Sequence, residues 1–236
     1  HFIEEGIFTN FFQISEGSNT GIAAIWVDQG GNNSIIIIPG ANLKNESDKV
    51  YDSLASFPQL KITIFQNEIN EEVTREGLLA SKRLNIRSIY NPAPVSESCK
   101  DLIPFSDILC VNEVELAVLA GKTVDSEEAV LQACQYLLSF GCKEIAVTFG
   151  SKGAYLYSGD KLLSFSAPKV NAVDTVGAGD SFIGCMAANL ARGVLLSEAI
   201  TRAVECASIS VQSRGAQPSY ARLESILEDH RPPNRN

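Results

Sequence analysis

The run Asp174-Thr175-Val176-Gly177-Ala178-Gly179-Asp180 closes one segment and opens an apolar stretch that reads as a helix, Ser181-Phe182-Ile183-Gly184-Cys185-Met186-Ala187-Ala188-Asn189-Leu190. Gly177, Ala178 and Gly179 are small enough to let the backbone turn tightly and approach a ligand. The first turn of a helix has N–H groups without intrahelical partners and the positive end of the helix dipole. Such a bend suits phosphate or developing phosphoryl charge. Asp180, at the same spot, can accept a proton from an incoming hydroxyl. An anion cradle beside a base is what phosphoryl transfer to an alcohol requires.

Upstream of this bend, apolar runs alternate with helical patterns. Gly21 to Val27 and Ser34 to Pro39 flank Asp28-Gln29-Gly30-Gly31-Asn32-Asn33, a hairpin signal in which Gly and Asn supply positive-φ positions. Ile35-Ile36-Ile37-Ile38 does not alternate with polar residues, so this hairpin needs cover on both faces, over a ligand site or against a second subunit. Ser47 can cap a helix bearing Val50, Leu54 and Phe57, and Asn70 a second one through Leu84. Strands are expected at 61–66, 86–90, 107–111 and 144–148, with helices at 113–120 and 126–140 between them. Residues 154–158 and 161–165 form a hairpin around Gly159-Asp160. Helices near 179–192, 197–213 and 221–230 complete the chain. This order argues an α/β fold, with a mostly parallel sheet carrying helices on both faces in a three-layer, Rossmann-type arrangement, plus a small β hairpin over about 18–42.

Composition narrows the function. The 236 residues suit one α/β domain with a small accessory element. A net charge of -9 argues against tracking a nucleic-acid backbone and against an anionic membrane surface. A negative protein can still hold an anionic nucleotide through helix ends and a bound cation. Cys99, Cys110, Cys134, Cys142, Cys185 and Cys206 form no C-x-x-C pair and sit mostly among apolar residues, as reduced core thiols do. Neither a bilayer-spanning run nor a signal peptide is visible. The chain opens on His1-Phe2-Ile3-Glu4-Glu5 without an initiator Met and reads there like mid-domain material, so preceding sequence is expected.

Other short runs fall at strand ends, where open α/β sheets bind ligands. Gly121-Lys122-Thr123 imitates a P-loop, but position 116 is Leu116 and a helix precedes it instead of a strand. Gly121 therefore reads as a helix C-cap, and a nucleotide must be held elsewhere. Thr148-Phe149-Gly150-Ser151-Lys152-Gly153 is a plain turn or a nucleotide loop. Asn112 is a helix cap, or with Glu115 faces phosphates and Mg²⁺, for which one Glu is sufficient. Glu68, after the strand at 61–66, is a solvated carboxylate or a receiver of substrate hydroxyls.

The run 174–180 resembles the D-T-x-G-A-G-D signature of the ribokinase-like (pfkB) carbohydrate kinases. Phe65-Gln66…Glu68, Asn91-Pro92-Ala93-Pro94, Asn112…Glu115, Thr148…Gly153 and Gly215-Ala216-Gln217-Pro218-Ser219 follow in the order found in ribokinases, over nearly the whole chain. The resemblance implies ATP-dependent phosphorylation of the 5-hydroxyl of D-ribose, in the cytoplasm. It makes Asp180 the base, and the N–H groups of Gly177, Ala178 and Gly179 the anion hole. Glu68 becomes a ribose ligand, Asn112 a phosphate contact and Glu115 the Mg²⁺ side. The segment Thr148, Phe149, Gly150, Ser151, Lys152 and Gly153 becomes the nucleotide loop. A monovalent cation, usually K⁺, is implied at Asp174, Val176, Ser210, Ser213, Gly215 and Ser219, mostly through carbonyl oxygens. The hairpin would be a lid and the contact of a homodimer.

Two departures stand out. Val204 falls where many ribokinases have an Asn near adenine, and Val packs on a base without reading its edge. The family's leading segment, with its Gly-Gly-x-Gly-x-Asn motif and sugar-gripping Asp and Asn, has no counterpart in these residues. Positions 1–236 therefore read as an N-terminally truncated kinase domain. An open strand edge and little ribose turnover by these residues alone are expected. Alternatives are an adenosine, fructose or ketodeoxygluconate kinase, or a non-catalytic nucleotide-binding remnant.

Overall fold

Ile108-Leu109-Cys110-Val111 offers no polar residue to solvent, so such a strand must be covered on both faces. All four residues are buried. The computed structural model describes residues 2–27 and 33–221. In chain order these form β1 (Ile22–Val27), β2 (Asn33–Ile38), α1 (Val50–Ala55), β3 (Ile62–Phe65), α2 (Glu71–Arg83), β4 (Arg87–Tyr90) and β5 (Ile108–Asn112). Then come α3 (Glu113–Ala120), α4 (Glu127–Leu138), β6 (Glu144–Thr148), β7 (Ala154–Ser158), β8 (Lys161–Phe165), α5 (Ala178–Ala191) and α6 (Leu196–Ser210). Six strands make one sheet in the order β3-β4-β5-β6-β7-β8. The first four run parallel, and β7 and β8 return antiparallel.

One face of the sheet is covered by α5 and α6, where Phe182, Met186, Ile200 and Ala203 pack on Ile89, Ile108, Cys110 and Ala146. The other face is covered by α2, α3 and α4, where Leu78, Leu116, Leu119, Val130 and Leu137 meet Tyr90, Leu109, Val111 and Ile145. The side-chain alternation of β5 feeds both layers, which is why that strand tolerates no polar interior residue. The three-layer α/β expectation is met. All six cysteines are buried free thiols, and burial pushes Cys134 and Cys142 up to about 12, so both are neutral packing groups. Among the described residues no helix is long and apolar enough to cross a membrane.

Local rules explain most element ends. Ser126 Oγ accepts the N–H of Ala129 at 3.2 Å, starting α4. Gly121 ends α3 in the left-handed conformation, φ 65°, the C-cap role its sequence context suggested. Two expected caps are not made. Ser47 lies in a 3-10 turn, and α1 begins after Lys49 with no side-chain cap. Asn70 precedes α2, but its amide Nδ2 donates to the Asn45 carbonyl at 3.2 Å and does not cap the helix. A cap residue is free to serve a neighbouring loop when that loop offers a better-placed acceptor.

The hairpin forms, β1 pairing antiparallel with β2 so that Ile22 faces Ile38 and Ala24 faces Ile36. Its expected turn, residues 28–32, lies outside the described residues, as do residues 222–230 of the expected last helix. The cover it needs is not supplied by the described residues. Ile36, Ile37 and Ile38 are 57%, 47% and 57% exposed, and consecutive strand residues point to opposite faces. β3 and β8 are the two edge strands of the sheet, and Ile64 of β3 is exposed.

Gly153 couples the β6–β7 turn to the end of β8. Its φ is +105°, and a Cβ there would stand 1.9 Å from the backbone oxygen of Phe165 and 2.7 Å from the Ala167 nitrogen. Backbone cannot swing aside as a side-chain tip can. Gly153→Ala is therefore expected to destabilise the fold by about 3 kcal/mol, from left-handed strain and overpacking together. Urea denaturation checks it, and a cost below about 1 kcal/mol counts against this close approach.

Candidate functional site

In the parallel part of the sheet the carboxyl ends of β3, β4, β5 and β6 point the same way. The segments at 66–68, 91–94, 112–115 and 148–153 therefore gather at one edge. α5 begins at this edge. Gly177, φ 79°, is its N-cap with no side-chain capping bond, and Asp180 is the acidic residue of its first turn. The Asp180 side chain is exposed. A Cβ added at Gly179 would meet nothing within 4 Å. The first-turn N–H groups are thus approachable from outside, as an anion cradle needs.

Beside this helix start lies a cavity of about 610 Å³, within the range of small-ligand sites. Thr148, Gly150, Ser151 and Gly153 form one side, Thr175, Ala178 and Gly179 the phosphoryl end, and Phe182, Val204, Ala207, Ser208 and Val211 an apolar wall. Gly150 likewise has open space where a Cβ would stand. Of the expected anion-hole donors, the Ala178 N–H turns back to the Thr175 carbonyl at 3.2 Å; an apolar slot leading to a helix start still matches a nucleotide, with a flat base at one end and phosphates at the other. Val204 is 5% exposed and gives the slot a packing surface with no hydrogen-bonding edge.

Not every sequence candidate turns toward this cavity. The Phe149 ring is buried in the opposite core layer and packs edge-on against Tyr155, at 5.3 Å between centroids. Only its backbone belongs to the loop. Lys152 is exposed and is not among the residues lining the cavity. Asn112 and Glu115 close a capping box on one another. Asn112 Oδ1 accepts the Glu115 N–H, and Glu115 Oε2 accepts the Asn112 N–H, both at 2.8 Å. Burial raises the Glu115 carboxyl above its ordinary value, against a smaller lowering by the Asn112 N–H. Glu68 is exposed at the β3 end. Its neighbour Asn67 accepts the Tyr90 hydroxyl at 2.9 Å and donates to Cys99 Sγ at 2.8 Å, which braces the strand ends under it. Among the described residues no three His, Cys, Asp or Glu form a metal cluster. A Mg²⁺ here would have to lean on phosphate oxygens and water, as this hard ion readily does.

The positions expected around a monovalent cation do come together. Asp174 Oδ1 accepts the Val176 N–H at 3.0 Å, and Oδ2 accepts the Gly215 N–H at 2.9 Å. The N–H groups of Val173 and Asp174 bond the Val211 carbonyl at 2.7 and 3.2 Å. Ser210 and Ser219 spend their hydroxyl protons on the carbonyls of Ala207 and Ala216, at 2.9 and 2.7 Å. Residues 174–176 and 210–219 are thus tied into one double loop beside the anion bend, through the Asp174 carboxylate and the Val211 carbonyl.

One residue at this site escaped the sequence reading. Tyr220 follows the Gly215–Ser219 run, and its hydroxyl lies 3.4 Å from Asp180 Oδ2. A Cβ at Gly177 would stand 2.6 Å from that hydroxyl and 2.9 Å from Ala216 Cβ. The glycine is therefore required for the close approach of the two loops as well as for its φ. A motif-by-motif reading stops at Ser219, one position short.

The N–H groups of Gly215 and then Val176 hold the Asp174 carboxyl below its ordinary value of 3.8. A carboxyl depressed in the fold stabilises above its ordinary value, and that stabilisation is lost as pH falls through the folded value. Asp174→Ala is therefore expected to lower the thermal midpoint at neutral pH. Denaturation scans should show the gap from wild type closing below pH 3.8. A gap that persists in acid would mean the carboxylate does not tie these loops.

Residues 1–222 match the model of the pfkB family carbohydrate kinases. Over 222 residues the chain is 35% identical to the ribokinase of Mus musculus, covering 91% of this chain and 68% of the mouse protein. It is 33% identical over 229 residues to a deoxyribokinase of Salmonella typhi, covering 94% of this chain and 73% of that one. Among solved structures, the Arabidopsis thaliana ribokinase complexed with ribose and ATP superposes with a TM-score of 0.86 at 30% identity. That match covers 94% of this chain and 73% of the plant protein. A bend of exposed helix N–H groups at the carboxyl edge of a parallel sheet, matched over nearly the whole chain, places it plainly: the chain belongs to the pfkB family of carbohydrate kinases.

Proposed function

We propose that this kinase phosphorylates the 5-hydroxyl of D-ribose with ATP. The observation that carries the proposal is the exposed Asp180 carboxylate in the first turn of α5, beside approachable N–H groups at the end of a nucleotide-sized slot. The ribokinases among its relatives, one of them solved with ribose and ATP, support the sugar. Bound ATP supplies the phosphoryl group, and Mg²⁺, when bound, would neutralise charge on its phosphates. Asp180 takes the proton of the attacking hydroxyl, and the amides of Gly177, Ala178 and Gly179 face the charge that develops on the transferring group. Glu68 receives sugar hydroxyls. Thr148 to Gly153 holds the nucleotide, with Phe149 and Lys152 contributing backbone, and Val204 packs on the base. Asn112 and Glu115 would serve the phosphates and Mg²⁺, the carboxylate through water because its Oε2 serves the helix cap.

K⁺ in the double loop of 174–176 and 210–219 would fix the bend whose amides meet the phosphoryl group. The β1–β2 hairpin, about residues 18–42 of one kinase domain, serves as lid and homodimer contact. Its exposed isoleucines are the support for that. Six buried free thiols suit a reducing compartment such as the cytoplasm. A second sugar, 2-deoxyribose, is favoured by the deoxyribokinase relative. It presents the same 5-hydroxyl, and the two sugars differ in a single hydroxyl contact.

Steady-state kinetics with ribose, deoxyribose, adenosine and fructose, on the protein expressed from its complete coding sequence, decide among these. Ribose should give the highest kcat/KM. Asp180→Asn should retain ATP binding and lose roughly a hundredfold or more in turnover. A variant that loses nucleotide binding but keeps its turnover would remove Asp180 as the base. Replacing K⁺ with tetramethylammonium should lower the rate, and equal rates would remove the cation assignment.

A further inference from the structure

Asp180 is exposed, and a short carboxylate with two rotatable bonds does not stay aimed unless something holds it. Among the described residues one side chain reaches it, that of Tyr220 at 3.4 Å from Oδ2. Tyr220 is itself fixed. Its N–H bonds the Gln217 carbonyl at 3.3 Å, in a turn where the N–H and hydroxyl of Ser219 both bond the Ala216 carbonyl, at 3.0 and 2.7 Å. The ring edge rests on Gly177, where a Cβ would meet Tyr220 Cε1 at 3.0 Å.

We infer that Tyr220 is a positioning residue for phosphoryl transfer, its ring backing the anion bend at Gly177 and its hydroxyl aiming the Asp180 carboxylate. The inference rests on the reading of Asp180 as base. The phenol donates to Oδ2 and leaves Oδ1 to receive the acceptor hydroxyl. At 3.4 Å the contact is longer than a tight O–H···O bond. It therefore directs the carboxylate without gripping it. Burial, then the Asp180 charge and the hydrogen bond to it, raise the Tyr220 hydroxyl above its ordinary value, so it remains a protonated donor at neutral pH. Misplacing a base by about 1 Å can cost on the order of a hundredfold in rate, so one aiming contact is enough to matter.

Two measurements test this. Tyr220→Phe keeps the ring on Gly177 and removes the hydroxyl. It should lower kcat about tenfold, a partial loss of alignment, while ATP affinity stays within about twofold. Tyr220→Ala, which also removes the backing, should weaken ATP binding as well. A Tyr220→Phe variant with wild-type kcat, or one losing ATP affinity in proportion to rate, overturns the positioning role. The second measurement needs no turnover. The ¹³Cζ resonance of Tyr220, assigned by its absence in Tyr220→Phe, is compared at neutral pH in wild type and in Asp180→Asn. Its chemical shift should move when the carboxylate is gone, and an unchanged shift overturns the pairing. A wild-type protein that phosphorylates none of the sugars, yet whose Tyr220 resonance responds to Asp180→Asn, refutes the proposed function and leaves the pair standing.

Discussion

The Asp174 carboxylate is the joint on which the site depends. Its two oxygens take one N–H from the bend that precedes α5 and one from a loop 41 residues further along. Without it the helix N-terminus would still exist, but its first turn would hang from a segment with few other restraints. Residues 168–173 are mostly exposed coil. A cradle built of backbone amides works only if those amides are already aimed when the anion arrives, because reorganising them would consume the stabilisation they provide. A charged acceptor makes stronger bonds to N–H groups than a neutral one. This is a physical reason for an Asp at 174 rather than an Asn.

The sheet supplies the other half of the arrangement. Parallel strands deliver their carboxyl ends to one edge, so loops distant in sequence arrive at a common site with no need for long excursions. β5 is the pivot, because its burial on both faces forces helices onto both sides of the sheet. Of these, α5 and α6 border the cavity, together with the loop after β6. The segment that follows β8, through Ala167, Lys169 and Val170, borders the slot. Gly153 lets the β6–β7 turn come within contact of the backbone at Phe165 and Ala167, and Ala167 also lines the slot.

Much of this was legible in the residues because it is local. The 144–148 strand and the 154–158 and 161–165 hairpin coincide with the expected bounds, since short apolar runs there are bounded by Gly-Asp and Gly-rich turns. The bend at 174–180 was legible because small residues before an apolar helix admit few structures. What was not legible is tertiary. Ser47 and Asn70 have the chemistry of caps, but whether a side chain caps its own helix depends on which acceptor or donor a distant loop presents. Asn70 found the Asn45 carbonyl. Phe149 sits inside a loop that borders the slot, yet its ring belongs to the opposite layer, a choice fixed by the strand alternation of β6. Tyr220 was invisible for the same reason, since its partner lies 40 residues away.

The Asn112–Glu115 pair shows how a structural and a chemical reading of the same residues can coexist. The capping box satisfies two N–H groups that α3 would otherwise leave unpaired where β5 meets the helix. It also fixes one Glu115 oxygen toward the backbone, and burial makes the charged form of that carboxylate costly. A carboxylate in that state gains from a nearby cation, because positive charge offsets the desolvation that raises it. It is equally unable to swing out and ligate directly without abandoning the Asn112 N–H. With the cap closed, Glu115 would hold a Mg²⁺ only through water, a shell this hard ion gives up reluctantly. Removing Glu115 would unmake the start of α3, because its Oε2 accepts the Asn112 N–H there.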